Sequence, residues 1–229
     1  EYESTEEFPR EENLRINVNG LDQLPEDIPS EESMLYAQRK EFTEDDIEEI
    51  EQLPGQKSIV VDQHLIISEF DSPMDIDADT MDSDNLLESH IWNREDYQYF
   101  GKDKQTNTLI FFQEMDRPIY FNLSGVLMIQ LNEDDKAVRY VQTILEKTDE
   151  QPAPEEINKP LEAVSVLYFN DGLIMSGDEI SDEVILGYHN LLPLPNGVQV
   201  LAPTWEVKVN EEKFFYVNAI ESHYTTRET

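Results

Sequence analysis

The sequence predicts an α+β fold of two similar modules, each a short helix packed on an antiparallel β-sheet, and three observations point to it. From Tyr97 onward, short apolar runs are separated by turn residues at hairpin spacing. Two helix-start signals, at Thr43 and at Asn158 with Pro160, each precede such runs. An apolar content of 38%, with 10% aromatic residues over 229 positions, is enough to build real cores. The economical division falls near residue 133. It gives a flexible acidic lead over 1–13, an N-terminal module over 14–133 and a C-terminal module over 134–229.

Taken in order, "EYESTEEFPREEN" has too little apolar content to order itself. "NLRINVNGLDQLP" alternates Leu14, Ile16 and Val18 before Gly20 and predicts a short strand and turn. "MLYAQRKEF" is a strand leading into "TEDDIEEIEQLPG". There Thr43 caps a short helix whose first-turn carboxylates meet the positive end of its dipole, and Pro54-Gly55 stops it. "KSIVVDQHLIISEF" reads as two strands or one bent one, followed by the densest acidic stretch, a loop over 71–84. "YQYFG", "TLIFFQEM", "PIYFNL" and "GVLMIQLN" are hairpin strands, and "AVRYVQTILEK" continues them. "NKPLEAVSVLYFNDG" fits a strand or a helix; Pro160 at its start and Gly172 at its end favour the helix, with Leu161, Val164, Leu167 and Tyr168 on one stripe. Three strands close the chain: "DEVILGYHNLL", "GVQVLAPTWEVKVN" and "KFFYVNAIES".

The formal charge is −35, of which −23 lies in the first 100 residues and −12 beyond. Such a field repels phosphate backbones and anionic headgroups, so nucleic acid and a direct lipid partner are excluded. Its plainest meaning is a solvated surface. The absence of cysteine removes disulfides, thiolate metal sites and a cysteine nucleophile. No apolar run approaches the roughly 20 residues that span a bilayer.

Asp71, Asp75, Asp77, Asp79, Asp82 and Asp84 are the sharpest local chemistry, since hard cations take several carboxylate oxygens from a loop. Asp75, Asp77 and Asp79 are the candidate ligands. An EF-hand counted from Asp75 fails where Thr80 replaces Gly and Leu86 replaces Glu, so a solvated loop is the better reading. His64, His90, His189 and His223 have no metal-ligand spacing. With 51 acids, carboxylate pairs for glycoside hydrolysis arise by number alone, and neither a nucleophile elbow nor a phosphate or dinucleotide loop is present. Trp205, Tyr188, Phe214 and Tyr216 form an aromatic group in the last strands, with two meanings. They are one packed face of a sheet or, if exposed, a partner surface.

Read whole, several elements in order resemble one family. They are Gln113, Pro118-Ile119-Tyr120, Asn122, Gly125, Tyr140, Gln142-Thr143, Leu167-Tyr168, Leu186-Gly187-Tyr188, Pro203, Trp205 and Tyr216-Val217-Asn218-Ala219. Across about residues 97–222 the chain resembles the YycI family of regulators of the WalRK (YycFG) two-component system, with PepSY-like modules. The resemblance implies a single-pass cell-membrane protein with this chain on the extracytoplasmic side, its anchor helix lying outside the chain. It implies the sister protein YycH and the sensor kinase WalK (YycG) as partners, control of cell-wall metabolism, no cofactor and no enzymatic activity. Two readings from other classes stand beside it: an extracytoplasmic ligand- or cation-binding sensor module and, behind that, a secreted hydrolase.

Overall fold

The structure, a computed structural model, describes residues 7–76, 89–170, 172–182, 184–194 and 197–226. Among these described residues, three α-helices and fifteen strands, nearly all antiparallel, make the class α+β. Contacts divide the chain into two compact units. One holds residues 1–35, 150–191 and 200–229, and the other holds 36–149 and 192–199. These boundaries differ from a single division at 133: residues 14–35 group with the C-terminal part of the chain, and residues 134–149 with the middle.

In the first unit, helix α1 (Glu7–Asn17) takes up residues read from sequence as flexible lead and as strand. Leu14, Ile16 and Val18 alternate, but only Leu14 and Val18 are buried, while Ile16 is 76% exposed. Positions i and i+4 share a helix face. An Arg15–Glu11 pair at 2.8 Å and a bond from the Val18 amide to the Leu14 carbonyl at 2.9 Å complete the turn. Gly20 ends the segment at φ 73°, and a Cβ there would lie 2.2 Å from the Ile180 carbonyl oxygen, so only glycine fits.

Helix α3 (Pro160–Phe169) begins on Pro160, whose missing N–H costs nothing in the first turn. It buries Pro160, Ala163, Val164 and Leu167, with Leu161 and Tyr168 packed at the margin. Its partner is a sheet in the order β12 (Ile185–Pro193), β13 (Gln199–Val209), β14 (Lys213–Asn218), β15 (Tyr224–Thr226). α1 and α3 share a core with Leu186, Trp205, Val207, Phe215 and Val217. Two short strands, β1 (Glu31–Glu32) and β11 (Glu155–Glu156), pair glutamate against glutamate. Like charges directly opposite weaken a ladder.

In the second unit, helix α2 (Glu44–Glu51) has the cap expected at Thr43, closed into a capping box. The Thr43 hydroxyl accepts from the Asp46 amide at 3.2 Å, and the Asp46 carboxylate accepts from the Thr43 amide at 2.9 Å. Six strands form an antiparallel sheet in the order β3 (Gln56–Val61), β4 (Leu65–Met74), β9 (Ala137–Thr143), β8 (Val126–Leu131), β6 (Thr108–Met115), β5 (Tyr97–Asp103). The run 57–70 is a hairpin turned by two left-handed residues, Asp62 and Gln63 at φ 49° and 61°. β7 (Arg117–Tyr120) turns back on β6 around Asp116, while β10 (Leu145–Lys147) pairs with β2 (Leu35–Arg39).

The core of this unit places Phe42 and Ile50 against Ile66, Phe70, Phe111, Leu127 and Tyr140. The irregular segment 89–96 is fastened onto this face by polar bonds. Gln56 donates to the His90 carbonyl at 2.6 Å, and Gln142 to the Trp92 carbonyl at 2.6 Å. Buried Arg94 lays its guanidinium 4.5 Å from the centre of the Phe111 ring.

Candidate functional site

The final hairpin carries the aromatic candidates. Asn210 and Glu211, both left-handed, turn β13 into β14, and Trp205 pairs with Val217. Trp205 is only 1% exposed, and Val207 and Val209 on the same face are fully buried. Its indole N–H donates to the Asn158 carbonyl at 2.9 Å. Asn158 in turn donates its amide N–H to the Ala219 carbonyl at 2.7 Å and its side-chain amide to Ser222 Oγ at 2.6 Å. Asn158, two positions before α3, therefore ties the helix start to both strands of the hairpin.

The candidates that sequence groups together separate in space. Trp205 is a core residue and offers no surface to a partner. Tyr188 is buried as well, its hydroxyl donating to the Glu32 carboxylate at 3.2 Å. Phe214 is half-buried with the Lys208 ammonium 5.7 Å from its ring centre, on the face opposite Trp205. Tyr216 is buried and stacks on His189 at 6.1 Å.

Behind that second face lies a cavity of about 90 Å³ lined by His189, Ala202, Thr204, Tyr216, Asn218 and His223. Its volume suits a few waters and is well below drug-sized sites. Burial lowers the His189 pKa from the ordinary histidine value, against the opposing pull of the Asn190 carbonyl. The ring is therefore held neutral at pH 7.

Of the aspartate candidates, Asp75 is exposed and ion-paired to Lys136 at 2.9 Å. Asp77, Asp79, Asp82 and Asp84 lie outside the described residues, and Asp71 belongs to strand β4. Among the described residues no three His, Asp or Glu side chains converge as a metal would need. The histidines keep local company: His64 Nδ1 meets the Lys40 carbonyl at 2.9 Å, and His223 sits 3.3 Å from Glu221.

A surface that the sequence reading missed lies on the open face of the six-stranded sheet. Along β6, Leu109, Phe111 and Gln113 point into the core, leaving Thr108, Ile110 and Phe112 on the other side. Phe100, Phe112 and Phe121 meet edge to face there, with ring centres 4.9–5.6 Å apart. Beside them a groove of about 460 Å³ has a floor of Ile110, Met128 and Val141, with Asp103 and Arg139 at its rim. The near-continuous apolar runs "TLIFF" and "VLMI" were the available signal, because a strand with one buried face alternates. A further groove, lined by Gln38, Arg39, His64, Ser124 and Gln199, is polar and bonded within itself. Arg39 and Gln199 both donate to Ser124 Oγ, at 2.9 and 2.8 Å.

The family profile described as YycI protein matches residues 11–220. This chain belongs to the YycI family. The YycI family implies a regulatory role in the YycFG/WalRK two-component system, and it is not known as a family of enzymes. The residues that carry its pattern here build structure. Gln113 brackets Leu145, donating to its carbonyl at 3.0 Å and accepting from its amide at 2.8 Å. Gly125 makes room for it, since a Cβ there would lie 2.8 Å from Gln113 Oε1. No curated protein matches this YycI-family chain. Among solved structures it is similar to an uncharacterized protein from Eubacterium rectale, at 12% identity and a TM-score of 0.49, over 92% of this chain and 89% of that one. Among the described residues no helix is long and apolar enough to cross a membrane.

Proposed function

We propose that the chain is the extracytoplasmic part of a non-enzymatic regulator that works by protein contact. With its sister protein YycH it modulates the sensor kinase WalK, and through that kinase cell-wall metabolism. The observation that carries this reading is the YycI match from residue 11 to 220. The internal roles of Trp205 and Gln113 agree with it, because the family's marked residues are spent on holding a scaffold. In this reading an anchor helix outside the chain holds it in the cell membrane.

The physical mechanism is bias of a two-state kinase. A regulator that contacts one kinase state better than the other shifts the population by that difference, and about 1–3 kcal/mol is enough for control. The cation-sensing alternative gains nothing from Asp75, whose carboxylate already has Lys136 as partner.

The reading predicts that this chain and the sister ectodomain, mixed at tens of micromolar, form a complex whose mass by light scattering is the sum of the two. Two unchanged masses with the proteins free in solution count against it. Repeating the measurement with both proteins tethered to one vesicle supplies the effective concentration a membrane provides.

A further inference from the structure

The polar groove of the second unit has a volume of about 570 Å³, within the range of small-molecule sites. All of its lining residues belong to that one unit. Its most buried member, Ser124, is 4% exposed and sits in a closed circuit of bonds. The Ser124 amide donates to Asn122 Oδ1, the Asn122 side-chain amide to Gln199 Oε1, and the Gln199 side-chain amide to Ser124 Oγ, each at 2.8 Å. Arg39 Nε donates to the same hydroxyl oxygen at 2.9 Å.

This circuit fixes the groups in place and leaves some of them unmet. Two N–H groups occupy both lone pairs of Ser124 Oγ, so its own O–H remains to donate and has no acceptor among the described residues. Arg39 commits only its Nε, and its two Nη groups meet no acceptor among the described residues. Glu41, two positions along, lines the same groove and has neither a hydrogen bond nor an ion pair among the described residues. Lys40, between them, pairs instead with Asp46 at 3.2 Å. His64 gives its Nδ1–H to the Lys40 carbonyl at 2.9 Å, which leaves Nε2 of the neutral ring as an acceptor. In a chain of 51 acids and 16 bases, an open guanidinium fork beside an unmet carboxylate is a pair of opposite charges that do not satisfy each other.

We propose that the groove binds a small zwitterion, an amino acid or a short peptide. Its carboxylate takes the free fork of Arg39 in two parallel bonds and accepts the O–H of Ser124. Its ammonium donates to the Glu41 carboxylate and to His64 Nε2. A purely anionic ligand fits poorly because it meets Glu41, and a purely cationic one because it meets Arg39. A metal ion fits poorly as well, since hard cations need several oxygen ligands and Glu41 is the one carboxylate in the lining. At Gly197 a Cβ would meet nothing within 4 Å, so the rim there has room for the rest of the ligand. Binding at this site is separate from the protein contacts proposed above, and each stands or falls alone.

The test is a titration of this chain with alanine, trialanine, acetate and ethylammonium, followed by amide NMR shifts. The proposal expects alanine or trialanine to saturate, to move the amides of Ser124 and Gly197, and to bind at least about tenfold more tightly than acetate or ethylammonium. The tighter of the two zwitterions assigns the source, a free amino acid or a peptide. Arg39→Gln, at an exposed position, is expected to abolish binding with Tm unchanged. Arg39→Lys keeps the charge, loses the fork and is expected to weaken binding about tenfold, which covers the case in which the first variant fails to fold. Glu41→Gln is expected to weaken the zwitterion about tenfold and to leave acetate unchanged or tighter. No saturation by either zwitterion at tens of millimolar overturns the site. Acetate that binds as tightly as the zwitterions overturns it, and so does a Glu41→Gln variant that binds them like the wild type. Saturation that survives both Arg39 substitutions places the ligand elsewhere and overturns it too.

Discussion

At the scale of single residues, this chain spends its distinctive side chains on internal geometry. Gln113 does for Leu145 what a neighbouring strand would do, offering one donor and one acceptor to one backbone unit. Trp205 fills the first unit's core and finds its one polar partner at Asn158. His189 is the residue with a pH signature. Its folded pKa lies below 6.5, so the unfolded chain binds the proton more readily. Stability is therefore complete above the unfolded value and is lost as pH falls through 6.5 toward the folded pKa. Thermal melts at pH 7.5 and 5.5 should show a larger fall in Tm for the wild type than for His189→Gln. Equal falls would mean that His189 does not titrate differently on folding.

At the scale of elements, the first helix is the test of how this fold closes. α1 and the residue that follows it contribute Leu14 and Val18 to a buried core otherwise supplied by residues beyond 156, which is why the chain's start groups with its end. Leu14→Ala should cost about 2–5 kcal/mol by denaturant titration, the range for emptying a fully buried leucine site. Ile16→Ala should cost less than about 0.5 kcal/mol, as for an exposed position. Equal costs would restore the strand reading, in which all three apolar residues share a face.

That contrast also shows what sequence could and could not tell. The Thr43 cap, the proline start of α3 and the turns between β5 and β6 and between β6 and β7 were legible because each is decided by local chemistry within a few residues. α1 was not legible, since Leu14, Ile16 and Val18 satisfy a period of two as well as i, i+4. Only the presence of α3 and the hairpin beneath Leu14 and Val18 decides between them. The open-face groove was illegible for a different reason. Its floor of Ile110, Met128 and Val141 comes from three strands, and nothing local states which residue of β9 stands beside which residue of β8. Trp205 was legible as a patterned residue, but whether its face ended inside or outside depended on Asn158, 47 positions earlier.

At the scale of the molecule, the charge of −35 sets what approaches the chain. The charge keeps copies of the chain, phosphate backbones and anionic lipid surfaces apart.

The central claim is that binding of this chain changes the state of the kinase. The most direct measurement is WalK autophosphorylation in vesicles that carry the kinase and the sister protein, with and without this chain tethered to the same membrane. The account predicts a change of at least about fivefold in the phosphorylated fraction at equilibrium, the lower end of ordinary coupling energies. An unchanged fraction, with the complex shown to be formed on the same vesicles, would contradict it.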